Sequence, residues 1–92
     1  MDLTSVPIEK IVARGEYATV NGEYKTLMSL IQARTQEACD YLRHGLQAAD
    51  AEHALYCYSC AEMIAASLKA SVEEAAALKT QKDALYQLAW GK

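Results

Sequence analysis

The chain has 92 residues, enough for one domain with a limited core. Its 52% hydrophobic and 23% charged residues exclude a disordered chain. The formal charge is −3, and the nine basic residues are scattered rather than gathered into a stripe, which argues against duplex nucleic acid as a partner.

No apolar run reaches membrane length and no leader pattern opens the chain, so the expectation is a protein without a membrane span. Three cysteines, an odd count without framework spacing, suit a reducing compartment, and a cytoplasmic location is expected.

In chain order, Pro7 suits a first helical turn, with Thr4 or Ser5 as the cap. Ile8, Ile11 and Val12 share one apolar face, and Gly15 reads as a stop. A short helix over residues 6–14 is therefore expected, tucking that face onto the main body.

The next stretch supports two readings. Asn21-Gly22 between β-prone residues is a hairpin signal. Against it, Gly15–Val20 and Gly22–Leu27 both read G-E-Y-x-T-apolar, offset by nearly two helical turns. Tyr17, Val20, Tyr24, Leu27, Ile31, Ala38 and Leu42 continue in helical phase, so a helix over about residues 16–46 is favoured, with a break at Gly22 as its variant. Tyr24, Met28, Ile31, Thr35, Ala38 and Leu42 follow the four-three spacing of knobs-into-holes packing.

Residues 45–50 read as a tight turn between antiparallel helices, with Asp50 as the N-cap of the next helix and Glu52 favourable in its first turn. From Asp50 to Ala70 there is neither Gly nor Pro. Leu55, Tyr56, Cys57, Tyr58, Cys60, Met63, Ile64 and Leu68 spread around most of that helix, leaving a narrow wet stripe of Glu52, Ser59, Glu62 and Lys69. A helix so apolar has to be covered on several sides. Ser71 to Glu74 fits a capping box, which leaves open a third helix or one continuous helix to Gly91. Leu78, Leu85 and Leu88 then form a leaner stripe, while Lys79, Lys82 and Asp83 are expected on the solvent side, with Trp90 at the end.

The residue set offers little for catalysis. There is no Gly-rich phosphate loop, no paired carboxylates on one helical face and no nucleophile with an orienting base, so no enzyme activity and no cofactor are expected. His53, Cys57 and Cys60 share a helical face, and an antiparallel partner brings His44 and Cys39 toward it, which suits a tetrahedral Zn²⁺ site. The competing reading makes the cysteines small core residues, and it is preferred because zinc modules usually carry ligands in a loop. Tyr17, Tyr24, Tyr56, Tyr58, Tyr86 and Trp90 are the candidate partner-binding residues, since amphipathic rings bury area yet tolerate water.

The expected fold is all-α. A short N-terminal helix and two or three long antiparallel helices form a single helical domain over residues 1–92, a bundle completed by oligomerisation, most simply a symmetric homodimer. The expected function is a non-enzymatic protein-interaction module, a small acidic inhibitor, adaptor or secretion-type chaperone of bacterial or phage type. It would associate with itself and mask a surface of a larger protein. The alternatives are an oligomeric binder of a small anion or nucleotide-like ligand, and a Cys/His metal-binding helical hairpin.

Overall fold

A computed structural model describes residues 6–91. Two α-helices account for nearly all of them: α1 (Ile8–Leu46) and α2 (Ala51–Trp90). Among the described residues there is no strand, so Asn21-Gly22 forms no hairpin.

Pro7 stands just before α1. Its carbonyl accepts hydrogen bonds from the Lys10 and Ile11 amides at 3.0 and 3.2 Å. Proline thus opens the helix where its missing N–H leaves no orphan donor. The expected caps, Thr4 and Ser5, lie outside the described residues.

The expected short helix over residues 6–14 is not a separate element, because Gly15 lies inside α1. Neither Gly15 nor Gly22 takes a positive φ, so neither redirects the backbone. A helical glycine costs about 1 kcal/mol relative to alanine. The packing of neighbouring residues such as Ala13, Tyr17 and Val20 offsets that cost. The capping box at Ser71–Glu74 likewise caps nothing. Between Ala51 and Trp90 the chain holds no Gly or Pro, and α2 runs through.

The chain divides into two compact units, each pairing part of α1 with part of α2. One unit is Leu27–Glu73, an antiparallel helical hairpin around residues 47–50. α1 ends with the Gln47 amide shared between the Arg43 and His44 carbonyls, both at 3.2 Å. Asp50 caps α2: its Oδ1 accepts from the His53 amide at 2.7 Å and its carbonyl from Ala54 at 3.1 Å.

Ile31, Cys57, Ala61 and Ile64 are buried in this unit, with Leu27, Ala38, Tyr41, Ala54 and Leu68 half-buried. Along α2 these positions alternate by three and four residues, and along α1 they do so once half-buried Arg34 fills the step from Ile31 to Ala38, the period of a coiled-coil seam. Gly45 is buried under the Tyr58 ring: a Cβ there would stand 2.9 Å from a ring carbon. The close approach of α2 to α1 at this level therefore depends on glycine.

The other unit brings residues 6–26 of α1 against α2 from Glu74 onward. Ala13, Val20, Ala75, Leu85 and Ala89 are buried, while Tyr17, Tyr24, Leu78 and Lys82 are half-buried between them. Both helices mix small and large residues in this seam, Ala13 with Tyr17, Val20 and Tyr24 on α1 and Ala75 and Ala89 with Leu78 and Leu85 on α2. Lys82 sits in the seam rather than on the solvent side. Its place in the three-four alternation of Leu78, Lys82 and Leu85 puts it there.

Candidate functional site

In the unit that contains both chain ends of the described residues, four of the sequence-selected aromatics gather. Tyr17 meets Tyr86 at a ring-centroid distance of 5.8 Å and Trp90 at 5.3 Å, both edge-on. Tyr86 and Trp90 lie 5.2 Å apart, tilted by 34°. Such pairs contribute about 0.5–1.5 kcal/mol each beyond their burial. Tyr17 is fixed by its place in the seam, whereas Tyr86 and Trp90 stand one turn apart on α2 and remain 50% and 45% exposed. Tyr24 joins from one heptad along α1.

Two cations complete this cluster. The Arg14 guanidinium lies over the Trp90 ring at 5.3 Å, and its Nε donates to the Ala89 carbonyl at 3.2 Å. Lys82 Nζ lies 5.7 Å from the Tyr17 ring centre and 5.2 Å from that of Tyr24, and donates to Asn21 Oδ1 at 3.1 Å. Among the described residues the ion pairs are Arg34–Glu37, Arg43–Asp40 and Lys79–Asp83. Arg14 and Lys82 therefore rest on aromatic faces and neutral oxygens, with no carboxylate partner. Sequence reasoning missed both. The seam phase of Lys82 was the available signal; Arg14 gave none beyond its one-turn offset from Lys10.

In the hairpin unit, Tyr56 and Tyr58 lie on different sides of α2, as their spacing requires. Tyr58 covers Gly45. Tyr56 is 61% exposed and stands beside a groove lined by Arg34, Glu37, Tyr41, Cys60, Met63, Ile64 and Ser67. Its phenol is held above the ordinary value of 10.0, first by a hydrogen bond with the Cys60 side chain, then by the potential negative charges of Cys60 and Tyr41. Met63, on the same side of the helix, is 74% exposed, and Leu55 elsewhere on its circumference is 67% exposed.

The thiols and imidazoles come together only in part. Cys57 Sγ lies 3.8 Å from His53 Nε2, one turn away. Cys57 is buried, Cys60 half-buried, and Cys39 and His44 are exposed. No group of three or more His, Cys, Asp or Glu gathers among the described residues.

No family model matches the chain, and neither a curated protein nor a solved structure shows significant similarity to it. No helix among the described residues is long and apolar enough to cross a membrane.

Proposed function

We propose that the chain is a non-enzymatic protein-interaction module that associates with itself and covers a surface of a larger protein, as a small inhibitor, adaptor or secretion-type chaperone does. One observation carries this reading. α2 is apolar around most of its circumference, yet within one chain α1 covers a single side of it. Tyr56 and Met63 are left 61% and 74% exposed beside the groove at Tyr41 and Cys60, and Leu55, elsewhere on the circumference, is 67% exposed. Contiguous exposed apolar area of this kind marks an interface in a protein that remains in solution. The groove between paired helices accepts a further amphipathic helix, with rings and a thioether as anchors. The odd thiol count suits a reducing compartment, and the reading places the chain in the cytoplasm.

Native mass spectrometry with sedimentation velocity over a range of concentrations tests the proposal. Multiples of the chain mass with no added small molecule are expected, and Tyr56→Asp with Met63→Asp should shift the distribution toward monomer. A strictly monomeric chain that retains an organic ligand or a metal would overturn it.

A further inference from the structure

The unit formed by residues 6–26 and the end of α2 carries its charges on different sides. Glu9, Glu16 and Glu23 recur every seven residues on α1 and are all exposed. Seven residues return to nearly the same helical angle, so the three carboxylates form one stripe, stepped by about 10.5 Å. None has a basic partner among the described residues. Arg14 is two residues from Glu16. At about 100° per residue it lies about 160° from the stripe, on nearly the opposite side of the helix.

There, Arg14 on Trp90 and Lys82 on Tyr17 and Tyr24 form a cationic platform. Lys82 Nζ stands level with Asn21 through their hydrogen bond. The two cations are therefore set about two turns apart, close to the step of the glutamates. Aromatic faces beneath the cations restrict their mobility and lower the entropy lost when a carboxylate binds.

We infer that the Arg14–Lys82 platform of one copy receives the Glu9–Glu16–Glu23 stripe of a second copy. The contact rests on the self-association reading above and adds to the Tyr56–Met63 face a second contact, carried by the other unit. Donor and acceptor surfaces lie on different sides of the same unit, so the contact is heterologous rather than two-fold. Each copy then presents one free stripe and one free platform, and assembly continues to a closed ring or an open stack. Charge complementarity selects this occupant: the platform holds two cations without carboxylate partners among the described residues, and the stripe supplies carboxylates at a matching interval.

The test combines the unmodified chain with the triple variant E9K/E16K/E23K, whose substitutions lie on exposed helical positions. Circular dichroism confirms that the variant folds. Sedimentation velocity is recorded for each chain alone and for their mixture, at salt from roughly 50 to 500 mM, which shortens the screening length severalfold. The unmodified chain is expected to associate at low salt and weaken with rising salt. The variant alone should lose association by about tenfold or more. In the mixture the variant should still bind the unmodified chain through its intact platform and end each assembly.

Salt-insensitive association, unchanged in the variant, would overturn this contact while leaving self-association standing. A variant that is monomeric and also fails to bind the unmodified chain would overturn the heterologous geometry. An unmodified chain that stays monomeric throughout would overturn both readings. A variant that loses its helicity is replaced by E9Q/E16Q/E23Q, for which weakened self-association with retained binding to the unmodified chain is the supporting result and unchanged association the contrary one.

Discussion

Arg14 reaches from α1 to the last turn of α2, where its Nε donates to the Ala89 carbonyl at 3.2 Å. Lys10 does the same one turn earlier, Nζ to the Gly91 carbonyl at 3.1 Å. α2 has no basic residue in its own last turn. The cations that suit its negative end and satisfy its free carbonyls are borrowed from the other helix. Arg14→Gln should therefore lower stability by about 1–2 kcal/mol, the sum of a charged hydrogen bond and a cation–π contact. Urea denaturation gives the magnitude. Amide hydrogen exchange should show the loss concentrated in the last turn of α2, and a uniform change would count against the capping role.

The helical glycines separate into two kinds. A Cβ at Gly15 or Gly22 meets nothing within 4 Å, whereas one at Gly45 meets the Tyr58 ring. Gly15→Ala and Gly22→Ala should each raise stability by up to about 1 kcal/mol through helix propensity. Gly45→Ala should lower it, because the ring or the helix has to shift. Thermal melts of the three variants decide it, and a stabilising Gly45→Ala would show that Tyr58 swings away freely.

Ile64 and Met63 are neighbours on α2 with opposite surroundings, 6% and 74% exposed. Ile64→Ala should cost about 2–4 kcal/mol by leaving a cavity in the hairpin seam. Met63→Ser should change monomer stability by less than about 0.5 kcal/mol. Its effect should appear in the association constant instead. Denaturation at low concentration, paired with sedimentation at high concentration, separates the two effects.

The phenol of Tyr56 is held above 10.0, chiefly by Cys60. Its protonated form is thus favoured in the folded state. Whatever stability this confers is present below the unfolded value and is lost as pH rises through the folded one. Cys60→Ala should bring Tyr56 back toward 10.0. The difference in phenolate absorbance between each chain and its Tyr56→Phe counterpart reads this directly. An unchanged titration would assign the shift to another neighbour.

Much of the architecture was legible. The turn at residues 47–50 and the Asp50 cap followed from side-chain chemistry that acts locally, and so did the helical identity of the Tyr17–Ala38 series. Gly15 misled because a glycine signals a stop only where the backbone turns left-handed, and here packing on both sides carries the helix through it. The Ser71–Glu74 box left a third helix open beside one continuous helix; the continuous one forms, because a cap needs a break and none is present.

Leu42 was expected in the seam but is 44% exposed, while Tyr41 lies half inside. The expected series Tyr24, Met28, Ile31, Thr35, Ala38 and Leu42 and the observed one Tyr24, Leu27, Ile31, Arg34, Ala38 and Tyr41 share Tyr24, Ile31 and Ala38. At each intervening rung toward the turn the residue three places on, rather than four, lies closer to α2. Among the candidate binding residues, the sequence placed Tyr17 and Tyr24 on one face. The meeting of Tyr17 with Tyr86 and Trp90 depends on how α2 lies against α1, which no local pattern encodes.

Lys82 also acts as a ruler for how the two helices are matched. Nearly every other position of its seam is aliphatic, small or aromatic, and tolerates sliding by a heptad. A slipped pairing would set its ammonium against Arg14 or Met28 in place of Asn21, exchanging an acceptor for a like charge or for a thioether that is only a weak acceptor. The chain thereby gives up some greasy contact at one rung and gains a penalty against misaligned pairings that alanine-rich helices would otherwise permit.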